Sequence, residues 1–276
     1  MRTLICGSLA FDSIMVFQDH FKHHILPDKI HMLNVSFLVP EMRREYGGWA
    51  REITHKTKLL GGAPVILAPG GDSFCPHPDP RGRREAIRHL PGTYTAQAFI
   101  TTDLTDNQIT AFHPGAMNFS HENDASQARD IGLGIVSPDG RDGMLNHCRQ
   151  FRAAGIPFVF DPGQGMPLFS GEELLEMVEL ADYVTLNDYE AELLQMRTGL
   201  GLDALADRVK CLVVTRGEAG SHFYADGRAF DIPVVAARAV VDPTGCGDAF
   251  RAGLLYGIAH GWDWETTGRL ASVMGS

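Results

Sequence analysis

The sequence predicts an α/β fold: a central, mostly parallel sheet with helices on its faces, and a second, smaller sheet set beside it. Three observations predict this. Short apolar runs at residues 158–160, 183–186 and 212–215 each lead into a turn containing Gly, Pro or Asn. Between them lie segments whose apolar residues recur at three- and four-residue spacing, the mark of amphipathic helices. The first 120 residues instead carry strand-like runs separated by polar turns rather than by long helices.

Taken in order, an apolar stretch at residues 4–6 reads as the first strand. It is broken by Gly7, Ser8 and Asp12 well before signal-peptide length. Residues 14–17, 30–39, 94–102 and 108–112 read as strands of the smaller sheet, which would project from the main body and cover a pocket as a lid drawn from about 12–45 and 93–115. Gly61 and Gly62 end a helix, and residues 75–92, rich in Pro and Arg, form a surface segment. Helices follow over 171–181, with Leu174, Leu175 and Val178 inward, and over 188–197, with Leu193 and Leu194 inward. No linker composition divides the chain, which reads as one domain over 1–276.

Composition bounds the function. With 276 residues, 44% of them hydrophobic and 21% charged, the chain buries a large core, which excludes disordered and fibrous classes. Its 34 acidic residues against 24 Lys and Arg give a net charge of -10, the wrong sign for nucleic acid or an anionic membrane as partner. No stretch approaches the length of a membrane span. Five scattered cysteines (Cys6, Cys75, Cys148, Cys211, Cys246), never spaced as C-x-x-C, argue against a disulfide framework and for a reducing, cytoplasmic setting. The 12 histidines form no zinc pattern, and His20, His23 and His24 read as surface. Walker A spacing and a G-x-S-x-G elbow are both missing, which removes P-loop kinases and serine hydrolases of that type.

The chemistry concentrates in residues 242–253, DPTGCGDAFRAG, which run into an apolar helix. Gly245 and Gly247 allow tight backbone angles beside Cys246, and the amides and positive dipole end of the helix attract an anion. Asp248 then places a carboxylate able to take a hydroxyl proton beside a site able to hold a phosphoryl group. Asp248 also fits a plain first-turn position in a helix. The whole string resembles the C-terminal signature of the ribokinase-like, or PfkB, carbohydrate and nucleoside kinases. That resemblance implies a three-layer sandwich with a small β-sheet lid. It also implies Asp248 as catalytic base, with an anion hole of Gly245, Cys246 and Gly247.

Further stretches agree with it in order. CGSLAFDSI, residues 6–14, resembles the family's first-strand segment and implies that Asp12 binds sugar hydroxyls; a carboxylate suits a vicinal diol. Gly47 and Gly48 resemble the glycine pair that lies against the sugar, although GGWARE departs from the family's GG-x-A-x-N, with Arg51 followed by Glu52 where the pattern has Asn. Asn187 and Glu190 in NDYE resemble the N-x-x-E motif, which implies Asn187 near the nucleotide phosphates and Glu190 organising magnesium; the same spacing is a helix capping box. Thr215, Gly217 and Gly220 resemble the segment that holds ATP.

Residues 94–103 and 111–117 resemble the bacterial adenosine and nucleoside kinases. Phe99, Phe112 and His113 are then candidates to stack a base, and Asp161 and Gln164 to line the pocket or only a turn. The resemblance implies an ATP- and magnesium-dependent kinase, with K+ as a further cofactor, acting on a nucleoside such as adenosine. It also implies a homodimer joined through the lid. A sugar acceptor such as ribose or fructose, and a non-catalytic nucleoside-binding protein of the same fold, are the alternatives. The latter rests on Arg51, Glu52 and a chain that stops at Ser276, short of the family's usual tail.

Overall fold

A computed structural model describes residues 1–25, 32, 34–73, 86–105, 107–236 and 245–276. The strands are β1 (Arg2–Cys6), β2 (Ala10–Val16), β3 (Met42–Gly47), β4 (Ala63–Gly70), β5 (Ile87–His89), β6 (Ala96–Thr102), β7 (Gln108–His113), β8 (Ile131–Val136), β9 (Phe158–Phe160), β10 (Tyr183–Asn187), β11 (Cys211–Thr215), β12 (Ser221–Ala225) and β13 (Arg228–Ile232). The helices are α1 (Trp49–Leu59), α2 (Arg141–Ala154), α3 (Gly171–Leu180), α4 (Asp188–Thr198), α5 (Leu202–Ala206), α6 (Cys246–Ala259) and α7 (Trp264–Met274).

Among the described residues, nine strands form the central sheet in the order β13-β12-β11-β10-β9-β8-β1-β4-β5, parallel except at the β11–β12–β13 edge. The run from β8 to β11 is close to continuously apolar because both sheet faces are covered. Alternation along β1 shows the two covers: Leu4 and Cys6 pack with Phe151, Phe160 and Leu174 on one side, while Ile5 packs with Ile53, Val159 and Leu255 on the other. The result is three layers, with α2, α3 and α4 on one face and α1, α6 and α7 on the other.

Local chemistry sets the helix limits. Ser170 opens α3 and Asn187 opens α4, each through a reciprocal capping box with the residue three positions on. The glycine pair does follow the end of α1, with Gly61 at φ 83°.

The lid is a separate four-stranded sheet in the order β3-β2-β6-β7. Its composition differs from the expected one at one strand. Residues 34–39 are not a strand; the strand that pairs with β2 is β3, whose sequence MRREYG is nearly all polar and exposed. A strand solvated on both faces has no apolar alternation to read, so hydrophobic patterning passes over it. Ile30 and most of the Pro- and Arg-rich segment at 75–92 lie outside the described residues, as do Cys75 and Asp242, Pro243 and Thr244.

Candidate active site

The carboxyl ends of β1, β8, β9, β10 and β11 open onto one edge of the parallel sheet, where ligands of such sheets bind. Helix α6 starts at this edge. Gly245, at φ 81°, caps it in the left-handed region, and the first intrahelical bond runs from Ala249 N–H to Gly245 O at 2.9 Å. The amides of Cys246, Gly247 and Asp248 therefore precede the hydrogen-bonded ladder and have no intrahelical acceptor.

Asp248 sits in that first turn, half-buried, and its Oδ1 is shielded without a hydrogen-bond partner among the described residues. Burial pushes its carboxyl up to about 7; Arg251 and Lys56 oppose the rise, and Asp161 and Glu52 add to it. A carboxyl raised to that range changes protonation near neutral pH, as a general base requires.

Asp12 stands on β2 of the lid sheet. Gly47 makes room for it: a Cβ there would collide with Asp12 Oδ2. Gly48, at φ 94°, opens α1, and a Cβ on it would strike the Ser8 carbonyl. Burial raises the Asp12 carboxyl, and Glu45 and Glu52 raise it further. Glu52, ion-paired with Arg51 at 2.6 Å, is thus in the field of both Asp12 and Asp248.

Asn187, Glu190 and Thr215 lie further along the same edge. Asn187 Oδ1 accepts the Glu190 N–H at 2.7 Å and Glu190 Oε2 accepts the Asn187 N–H at 2.7 Å, so the capping box is formed. That leaves the other Glu190 oxygen and the Asn187 amide N–H groups outside the box, a donor set that suits a hydrated divalent cation near phosphates. Burial, with Asp161 nearby, raises the Glu190 carboxyl. Thr215 ends β11 beside Asn187 in register, and Gly217 and Gly220 bracket the tight turn that follows.

The lid register separates the aromatic candidates. Glu45, Asp12, Ala98 and Phe112 form one cross-strand row, and Arg43, Ile14, Ile100 and Thr110 the next row on the same face. Phe99 and His113 belong to the alternate rows and point to the opposite face, where His113 meets Tyr94 with ring centroids 6.1 Å apart. The fold therefore brings Phe112 to the Asp12 face and carries Phe99 and His113 away from it. Gln164 is exposed, whereas Asp161 is wholly buried and holds Arg251, a residue that motif reading passed over. The available signal was a lone arginine inside an apolar helix run, FRAGLL.

A model of the pfkB family carbohydrate kinases matches residues 83–276. The chain belongs to the pfkB family. This pfkB-family chain is a phosphotransferase acting on an alcohol acceptor. It is 32% identical over 250 residues to the nucleoside kinase of Methanocaldococcus jannaschii, covering 88% of this chain and 82% of the relative. The Burkholderia thailandensis nucleoside kinase in complex with inosine superposes with a TM-score of 0.86 at 52% identity, covering 99% of this chain and 89% of that one. The same enzyme in complex with ADP-inosine gives 0.84 at 53% identity, covering 99% and 87%. No helix among the described residues is long and apolar enough to cross a membrane.

Proposed function

We propose that this pfkB-family kinase transfers the γ-phosphoryl group of ATP to the primary hydroxyl of a nucleoside, with adenosine as first acceptor. The observation that carries this reading is the Asp248 carboxylate at the amide-rich start of α6, largely shielded, with one oxygen unpartnered among the described residues and with Glu52 acting on both it and Asp12. Asp248 takes the hydroxyl proton as the oxygen attacks, and the amides of Gly245, Cys246 and Gly247 receive the charge that develops on the migrating group.

Asp12 accepts hydrogen bonds from the sugar diol. Phe112 beside Ala98, Ile14 and Ile100 gives the Asp12 face an apolar wall suited to a base, which favours a nucleoside over a free sugar. Likeness to a kinase solved with inosine supports the same acceptor class. Magnesium, when bound with the nucleotide, would neutralise phosphate charge; Glu190 is the residue placed to organise it through water, Asn187 to donate to the phosphates, and Thr215, Gly217 and Gly220 to receive the nucleotide. Met42, Phe99 and Ile109, all exposed on the outer lid face, offer an apolar surface through which two lids pair in a homodimer.

A coupled ADP-release assay tests the reading with adenosine, inosine, cytidine, ribose and fructose as acceptors, each run with K+ and with Na+. Turnover with adenosine or another nucleoside in preference to both sugars is expected. Faster turnover of ribose or fructose, or nucleoside binding with no ADP release, overturns it.

A further inference from the structure

Helix α6 is buried along most of its length, and in the midst of its apolar residues it carries one arginine, Arg251, one turn beyond Asp248. Its guanidinium grips Asp161 at the end of β9 with two bonds, Nε to Oδ2 at 2.5 Å and Nη2 to Oδ1 at 2.7 Å, and both side chains are almost fully buried. The Arg251 Cζ also lies 4.8 Å from the centroid of the Trp49 ring, at the first residue of α1. Gly247 completes the fit: a Cβ there would sit 2.8 Å from Arg251 Nη1. Trp49 in turn packs against Gly163, in the turn that follows Asp161.

Such a pair is a poor way to gain stability, because the cost of desolvating both ions roughly cancels their attraction, and apolar residues of similar volume commonly do as well. Its placement is more informative. Arg251 touches three elements, and each carries part of the cleft: α6 with Asp248, the turn after β9, and the start of α1, where Gly47 and Gly48 connect to the lid and Glu52 follows. Its charge also acts on Glu190 at the head of α4.

We propose that Arg251 is a positioning residue for Asp248: clamped by Asp161 and covered by Trp49, it fixes the first turns of α6 against the acceptor side of the cleft and supplies the cation that acts on the Asp248 carboxylate. The proposal rests on the kinase reading for the role of Asp248, and on geometry for the clamp. The groups acting on Asp248 are Arg251 from its own helix, Asp161 from β9, and Glu52 and Lys56 from α1. Among them Arg251 is the strongest charge and favours the ionised form, so losing it makes Asp248 a more reluctant proton donor to solvent and a base only at higher pH. A lysine keeps the charge but neither the two-point fork nor the flat face over Trp49.

The test compares wild type, Arg251→Lys and the double variant Arg251→Met with Asp161→Asn, which leaves no buried ion without a partner. Asp248 is titrated by 13C carboxyl NMR, assigned with Asp248→Asn, and kcat and nucleoside KM are measured across pH. In the double variant the lost Arg251 cation, which favours ionised Asp248, outweighs the lost Asp161 anion, which opposes it, so the Asp248 midpoint and the acid limb of kcat should move up together. Arg251→Lys should hold the midpoint while kcat falls roughly tenfold, with KM within about threefold, as expected of misplaced catalytic geometry.

An unmoved midpoint in the double variant, or wild-type kcat in Arg251→Lys, overturns the proposal and leaves Arg251 a packing residue. If the double variant does not fold, the Arg251→Lys kinetics decide. A folded wild type with no nucleoside-dependent ADP release sinks the kinase reading instead, and the NMR midpoints still decide the electrostatic role of Arg251.

Discussion

Replacing Asp248 by Asn should separate function from stability in opposite directions. The Asp248 carboxyl is displaced from 3.8 to about 7, chiefly by burial. At 1.36 kcal/mol per pH unit that displacement corresponds to roughly 4 kcal/mol of unfavourable ionisation, an upper limit because the side chain is only half-buried and the open edge of the cleft screens it. About 2 kcal/mol is therefore the gain in folding stability expected for Asp248→Asn above pH 7.

The sign follows from proton linkage. Between pH 4 and 7 the folded chain binds a proton at Asp248 that the unfolded chain has already released, so this group's contribution is intact below about 4 and is lost as pH rises to about 7. The variant lacks that loss. Urea unfolding at pH 5 and pH 8 should show wild type falling behind Asp248→Asn as pH rises, while phosphotransfer drops by about 10² to 10⁴ and nucleoside affinity changes little. An Asn variant that is less stable than wild type at pH 8, or that retains turnover, refutes the picture of a strained, catalytic carboxylate.

Other expectations can be checked with the same reagents. In wild type, kcat/KM for the nucleoside should fall as pH drops below about 7, because the base must be ionised in the free enzyme; a profile flat down to pH 5 contradicts this. Gly47→Ala places a methyl group on Asp12 Oδ2 and should raise nucleoside KM at least tenfold, read by calorimetry as lost affinity with the fold retained in circular dichroism. Phe112→Ala should weaken nucleoside binding by about 1 kcal/mol, whereas Phe99→Ala, on the outer lid face, should leave binding alone and shift the monomer–dimer balance seen by light scattering. Equal effects of the two changes on binding would mean that the lid presents a different face to the acceptor.

Much of the architecture was legible because the residues responsible act locally. The strands at 158–160, 183–187 and 211–215 are apolar on both faces, and the α3 and α4 caps are spelled out within four residues each. Strand β3 was not legible, since MRREYG gains its place from pairing with β2 rather than from any burial pattern of its own. The described part of the DPTGCGD string, residues 245–248, behaves as its spacing implies, with Gly245 in the left-handed region and Asp248 in the first turn of the helix. The rise of the Asp248 carboxyl to about 7 is a different matter, because that depends on burial and on Glu52, Lys56, Asp161 and Arg251 arriving from three separate elements.

The sequence by itself determined the layered α/β order, the family and the identity of the polar groups, because backbone propensity, capping and short motifs are properties of neighbouring residues. Only the tertiary structure decided which aromatic of the lid faces Asp12, since a pleated strand turns successive side chains to opposite faces and the choice is made by cross-strand register. It alone also joined Asp161 to Arg251, 90 residues apart, because a buried charge is satisfied by whatever partner the fold brings within reach and not by any neighbour along the chain.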